Sequence, residues 1–531
     1  MAETDTAALI ERYRRARARR ARWESLWQEC YDLALPQRGG FLSPPVPGER
    51  HADHLFDGTA PDAVDQLAAS LLAQLTPPWS RWIGLAPGPE LAGPERAADR
   101  EAAAPVLERM AEALHGHLER SNFAVEIHQC YLDLVVGGTA CLLVEEAPPG
   151  AHSALRFTAV PLAEAVLEEG PGGRLDVTFR RVELTLAAIE HRFPGVAVPD
   201  PLRRQAEADP QARFAVLEAV VPEPAAAGAA YRYAVVLEDD GGGAAALLAE
   251  GRFAESPFVN FRWLKAPGEA YGRSPLMKAL PDVKTANKVV ELILKNASIA
   301  VTGIWLADDD GVLNPAAVRL VPGSIIPKAV GSSGLTPLEA PGKFDVSQIV
   351  LDDLRARIRH ALLTDRLAQV DTPRMTATEV IERSAEMQRL LGATYGRLQA
   401  ELLTPLVLRA LAVLRRRGEV PDIDVDGHVV ALQYRSPLAM AQAHRDVRTT
   451  LTWLDTARTL GPAALEAVDA AAAVRWLGER FGVPGALVRP PQPAPEPAPP
   501  DGAAPPAPAV PPPPDAAALA AAMPAGEGAD V

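Results

Sequence analysis

Two histidine pairs, His51/His54 and His115/His117, a run of acids, Asp308, Asp309 and Asp310, and a serine at the start of a helical pattern, Ser274, are the side chains best suited to chemistry. A zinc site needs imidazole, thiolate or carboxylate ligands converging on one point. His115 and His117 are two residues apart, so a helix turns them to different faces, and no HExxH is present. Surface histidines are expected. The aspartates are contiguous rather than alternating, and no glutamate sits at calcium-loop distance. They read as an acidic solvent turn. Ser274 has no Asp or His partner nearby in sequence, and helix capping accounts for it. There is no GxxxxGKS/T phosphate loop, no GxGxxG after a strand and no GxSxG elbow. No catalytic residue, metal ligand or cofactor site is expected.

Two cationic groups remain. Lys284 and Lys288 are four apart and share a helix face. They could touch phosphates; acids on a neighbouring copy would suit them equally. Arg12, Arg14, Arg15, Arg17, Arg19, Arg20 and Arg22 form a run that could serve as a nucleic-acid arm. A solvated helix face pairing with acidic neighbours is the simpler reading.

The elements that position these groups are mostly helical. Residues 6 to about 35 read as one helix with Ile10, Tyr13, Trp23, Trp27, Cys30 and Tyr31 on its apolar face, closed by Pro36. A helix capped by Thr59, with Pro61 early, leads to a short strand through Trp82. Helices follow over 99–121 and 123–136. From 155 to 265 the pattern changes to short alternating runs such as "LDVTFRRVEL" and "RFAVLEAVV", which read as strands, with a helix inserted at "AAIEHRF". In "AYGRSPLMKALPDVKTANKVVELILKN", Ser274 and Pro275 open a helix to about 299. Short strand-like pieces lie between 300 and 344, and a helix spans 346–366. Thr376 and Glu379 fit a capping box opening a long helix to about 416, about 60 Å at 1.5 Å per residue, with Pro405 expected to kink or break it. Residues 418–487 read as mixed and mostly helical. The Pro- and Ala-rich segment from 489 reads as a tail without a core.

The chain has 531 residues and a formal net charge of −15. That excludes a protein whose whole surface grips nucleic acid, but not one that lets DNA slide past an acidic wall. Three cysteines, Cys30, Cys130 and Cys141, without a CxxC, point to a reducing compartment. The N-terminus lacks the apolar run of a secretory signal. No stretch of about 18 apolar residues suggests a membrane span, so no membrane partner is expected.

Four stretches, in order, resemble the portal (head-to-tail connector) proteins of short-tailed, T7-like bacteriophages: "RARWESLWQECYDLALPQRGGF", "LFDGTAPDAVDQLAASLLAQLTPPWSRWIGL", "YGRSPLMKALPDVKTANKV" and "MTATEVIERSAEMQRLLGATYGRLQAELLTPLV". Together they span about 400 residues. The resemblance implies an α+β, mainly helical, elongated subunit with wing, stem, clip and crown regions, assembling into a ring, usually of twelve, around a channel for double-stranded DNA. On this chain it implies a wing at 1–273, stem helices at 274–299 and 346–366, and a clip at 300–345. A tunnel loop follows at 367–375, a long wing helix at 376–416, a crown region at 417–487, and a disordered tail at 488–531. Stem candidates are Lys278, Lys284 and Lys288. Tunnel-loop candidates facing DNA are Arg366, Gln369, Asp371 and Arg374. Clip candidates for terminase or adaptor contact are Asp308, Asp309, Asp310 and Lys328. The implied partners are further copies of the chain, the terminase large subunit, the major capsid or scaffold protein and a tail adaptor. The implied location is the portal vertex of the virion, after assembly in the bacterial host cytoplasm. No catalytic activity is implied, because a separate terminase supplies the energy.

Three other readings compete. A different head component, such as an adaptor or minor capsid protein, is disfavoured by length. A cytosolic enzyme with an unrecognised site would need a pocket on the strands of 155–265. A membrane-surface role for the Arg-rich helix would show as liposome binding dependent on residues 12–22.

Overall fold

A computed structural model of the chain describes residues 2–42, 48, 53–91, 96–196, 198–223, 231–238, 246–302, 305–307, 335–337, 344–367, 392, 394–423, 425, 427, 428, 430–435 and 437–481. Helix α1 (Ala2–Ala34) carries its buried residues at helical spacing, Ile10, Tyr13 and Ala16 in one core and Trp27, Cys30, Tyr31 and Ala34 in another. It therefore ties two cores together. Helix α2 (Thr59–Leu75) buries Ala60, Ala63, Val64, Leu67, Ala68 and Leu71. Its cap differs from expectation. Thr59 is the first helical residue, and the carboxylate of Asp57 accepts its N–H at 3.0 Å. An aspartate two residues ahead makes the same turn as a capping threonine, and makes it with a charge.

Strand β1 (Ile83–Pro87) starts one residue after Trp82. Helices α3 (Ala97–Arg120) and α4 (Phe123–Gly137) match the expected spans closely. Strands β2 (Thr139–Glu146) and β3 (Leu155–Val160) form an antiparallel sheet with β9 further on. Strand β2 was missed because it is buried on both faces, giving an apolar run without alternation.

Strands β4 (Ala165–Glu168) and β5 (Val177–Thr185) begin a five-stranded antiparallel sheet. Helices α5 (Leu186–Arg192) and α6 (Asp200–Ala208) interrupt it, and β6 (Arg213–Pro222), β7 (Tyr231–Leu237) and β8 (Ala246–Phe253) complete the order β4-β5-β6-β7-β8. Both faces are covered. Phe179, Leu217, Ala219 and Val236 meet Ile10, Tyr13 and Ala16 of α1. Alternate residues Phe214, Val216, Val235 and Leu237 meet Ile189 and Ala206 of α5 and α6.

Strand β9 (Phe258–Arg262) returns to the first sheet, whose order is β3-β2-β9. Helix α7 (Pro275–Thr302) then runs past Pro281 without ending. A small ribbon pairs β10 (Trp305–Ala307) with β11 (Leu335–Pro337). Helix α8 (Phe344–Ala361) returns against α7. It stops short of the expected 366: Leu362 is buried, Leu363 takes φ 62°, and a separate turn, α9 (Thr364–Leu367), follows. A left-handed residue ends an α-helix by turning its next N–H back, and Leu363 donates to the His360 carbonyl at 3.1 Å.

Thr376 and Glu379 lie outside the described residues. Residues 394–398 are helical and enter a π-helical turn, Gln399–Leu403, followed by α10 (Thr404–Arg416). Pro405 neither breaks the run nor sits mid-helix; it occupies the second position of α10. The π turn absorbs the missing proline N–H, since Thr404 donates its N–H five residues back to Gln399. Strand β12 (Val430–Tyr434) pairs with β1 across the chain. Helices α11 (Pro437–Leu460), α12 (Pro462–Leu465) and α13 (Ala470–Phe481) close the described part. The expected α+β class holds.

Candidate functional site

The start of α7 is fixed by two backbones in contact. A Cβ on Gly272 would lie 2.1 Å from the Gly138 carbonyl oxygen, and one on Gly138, at φ 75°, would lie 2.4 Å from that of Gly272. Only glycines allow this crossing of the α4–β2 turn with the "YGRSP" turn. Thr139 Oγ1 accepts the Gly272 N–H at 2.8 Å, and Ser274 Oγ accepts that of Met277 at 2.9 Å. Ser274 is thus a buried cap, as its sequence context indicates. Tyr271 packs edge-on against Trp27 of α1, ring centres 4.9 Å apart, and its hydroxyl accepts the Leu167 N–H at 3.0 Å.

Helices α7 and α8 are antiparallel and cross-tied. Arg357 pairs with Asp282 at 2.9 Å. The segment before α2 clasps both helices. Asn287 of α7 accepts the N–H of Phe56 at 2.6 Å and that of Asp57 at 3.0 Å, and donates to the His54 carbonyl at 2.8 Å. The Asp57 carboxylate then takes Arg355 of α8 at 2.9 Å. Burial pushes that carboxyl up, but the Thr59 and Arg355 hydrogen bonds outweigh it and hold it below the usual range. An open groove of about 580 Å³ separates the two helices, lined by Lys278, Asp282, Arg357, His360 and Asp365.

Behind α7 lies a buried ion cluster. Arg262, fully buried, meets Glu401 of the π turn at 2.7 Å and Glu169 at 3.5 Å, and donates to the carbonyls of Gly173 and Ala270 at 2.7 and 3.0 Å. Lys265 also reaches Glu169.

Of the sequence candidates, Lys278 lines the groove, Lys284 pairs with Glu29 of α1 at 3.0 Å, and Lys288 pairs with Glu291 at 3.0 Å. Lys284 therefore has its acid within its own chain. Arg366 lies in α9. Gln369, Asp371, Arg374, Asp308, Asp309, Asp310 and Lys328 lie outside the described residues. The arginine run on α1 divides: Arg12 and Arg19 pair with Glu168, while Arg20 is buried and donates to the carbonyls of Ala163 and Ala165 at 2.8 and 2.9 Å. Of the histidines expected at the surface, His54 is exposed, His51 lies outside the described residues, and His115 and His117 are inside. His115 bonds the Ile83 carbonyl at 2.9 Å, and His117 accepts the Ala154 N–H at 3.1 Å and meets Glu419 at 2.5 Å. His117 thus uses Nδ1 for a backbone N–H and Nε2 for a carboxylate, while His115 meets the Ile83 backbone through Nε2, so both buried rings have polar partners. Asp57, Asn287 and the Arg262–Glu401 pair had not been singled out. Asp57 carried a signal, an aspartate two residues ahead of a helix start; the others join residues far apart in sequence.

The family described as bacteriophage head to tail connecting protein matches residues 6–488. The probable portal protein of Bordetella phage BPP-1 is 25% identical over 485 residues, covering 84% of this chain and 81% of its own. The portal protein of Salmonella phage epsilon15 is 24% identical, covering 92% and 90%, and that of Escherichia phage T7 is 22% identical, covering 77% and 75%. With nearly the whole described chain inside one match, the protein belongs to the bacteriophage head to tail connecting protein family.

Proposed function

We propose that this chain is a portal subunit, assembling into a ring of about twelve copies at one capsid vertex. Double-stranded DNA would pass through the ring during packaging and ejection. The family match over residues 6–488 carries this reading. In it, α7 and α8 are the stem, the residues between them the clip, residues 367–375 the tunnel loop, and residues 417–487 the crown. The five-stranded sheet and the helices before α7 form the wing. Arg366, Gln369, Asp371 and Arg374 would be the tunnel-loop contacts with DNA. Asp308, Asp309, Asp310 and Lys328 would meet the terminase large subunit and later the tail adaptor, and the wing would meet the major capsid or scaffold protein. The net charge of −15 suits a channel that repels the phosphate backbone and leaves DNA mobile. No catalysis by the subunit itself is needed.

The test is mass and shape. Light scattering of the purified protein, followed by negative-stain images of the same peak, should give a particle near twelve times 56.5 kDa with a central hole. A monomer that persists when head proteins are co-expressed would end the portal reading.

A further inference from the structure

Helix α7 turns Leu276, Ala279, Val283 and Ala286 into the core, and the opposite face carries Lys288, Leu292 and Lys295. Leu292 is 53% exposed, and the two lysines share one carboxylate, Glu291, leaving a surplus positive charge. Helix α8 buries Leu351, Leu354 and Ile358, and its opposite face carries Ile349, Asp352 and Asp353. Ile349 is 71% exposed, and neither aspartate forms an ion pair among the described residues.

The two faces overlap in height on the hairpin, with Lys288 beside the level of Asp352 and Leu292 within about 3 Å of the level of Ile349, while Lys295 lies about 12 Å further toward the hairpin tip. The Asp282–Arg357 pair sets the register, and antiparallel helices step in opposite directions at 1.5 Å per residue. Ile349 is then level with Val290, and Lys288 with Leu351. One face is basic around an exposed leucine; the other is acidic around an exposed isoleucine. Opposite charge on unlike patches of one molecule suits a head-to-tail contact.

We infer that the Lys288–Leu292–Lys295 face of α7 docks on the Ile349–Asp352–Asp353 face of α8 in the next copy of this chain. The occupant is a second copy because the complementary faces sit on the same hairpin with Lys288 and Leu292 near the level of Asp352 and Ile349, which a rotation about an axis along the hairpin brings together. This rests on the ring reading above and assigns the contact that closes the ring.

Charge reversal tests it in three arms: wild type, Lys288→Glu with Lys295→Glu, and Asp352→Lys with Asp353→Lys. Each reversed variant alone should stay at subunit mass, because its like-charged faces repel. An equimolar mixture should recover rings containing both variants. Rings from either variant alone at wild-type yield would overturn the contact while leaving the ring reading intact. So would a mixture that fails although both variants keep wild-type circular dichroism and melting. If a reversed variant misfolds, cysteines decide: oxidising a mixture of Leu292→Cys and Ile349→Cys chains should give a cross-linked pair, and its absence would overturn the contact. A wild-type arm that never forms rings with head proteins present would sink the ring reading itself.

Discussion

Glu401 grips Arg262 with both carboxylate oxygens. Oε2 accepts the Arg262 backbone N–H at 3.0 Å and Nε–H at 3.2 Å, while Oε1 accepts from Nη2 at 2.7 Å. The contact pins the π turn before α10 to the end of β9, close to where α7 begins. Arg262 is fully buried and Glu401 nearly so.

Removing Glu401 leaves the buried Arg262 charge with only the more distant Glu169 among its described carboxylate partners, and breaking such a buried pair costs about 3–5 kcal/mol. Glu401→Ala should therefore lower stability by about that amount, read as the urea midpoint at unchanged slope. Replacing both residues with apolar ones of similar size should cost less than the single change. A Glu401→Ala protein with wild-type stability would show that the pair does not hold the turn.

Asp57 is the hinge pin of the α7–α8 clasp. Asp57→Asn keeps the size but loses the charge-assisted bond to Arg355, worth about 1.5–3 kcal/mol. The sign with pH follows from the direction of its shift. The folded-state pKa lies below the unfolded one, so the contribution is present above about pH 4 and lost as pH falls through the depressed folded value. Wild type should exceed Asp57→Asn in stability at pH 7, and the gap should narrow below pH 4. A gap independent of pH would mean the carboxylate charge is idle.

Cys30, Cys130 and Cys141 are all free and buried. Burial pushes the Cys30 thiol up to about 12 and raises the other two as well. Thiolate is the reactive form. At pH 8 a thiol reagent should label none of the three in the native protein and all three in denaturant. Fast native labelling at Cys30 would place the end of α1 outside the core.

Helix positions were legible from periodicity and caps, because local signals decide them: Ser274, the α3–α4 boundary and the strands β5 to β7 all follow from pattern. Strand β2 was not legible, since a strand buried on both faces loses alternation. The buried histidines were misread because their partners, Ile83 and Glu419, are distant in sequence. The arginine run looked uniform, yet only Arg20 is buried against carbonyls; neighbours in space, not residue type, separate it from Arg14 or Arg15. At the candidate site Lys284 was visible but its acid was not, because Glu29 stands 255 residues away, whereas Glu291, the acid of Lys288, lies three residues on in the same helix.

Pro405 was expected to kink or break the helix, and the turn that lets the run continue rests on Thr404. Its hydroxyl donates to the Gln399 carbonyl at 2.9 Å and bonds the Tyr434 hydroxyl at 2.6 Å. The Gln399 carbonyl thus accepts both the N–H and the hydroxyl of Thr404, and β12 is tied to the same point. Thr404→Val keeps the shape and removes both hydroxyl bonds while the Gln399 carbonyl keeps its backbone donor, so it should cost about 1–2 kcal/mol, about 1 kcal/mol for each lost bond. Pro405→Ala restores an N–H that an ordinary α-helix could use. Combined with Thr404→Val it should recover part of the loss, because the segment can then relax from the π turn toward regular helix. Equal stability for the single and double variants, measured by urea unfolding, would show that the π turn is held by the Arg262–Glu401 pair alone and not by the proline.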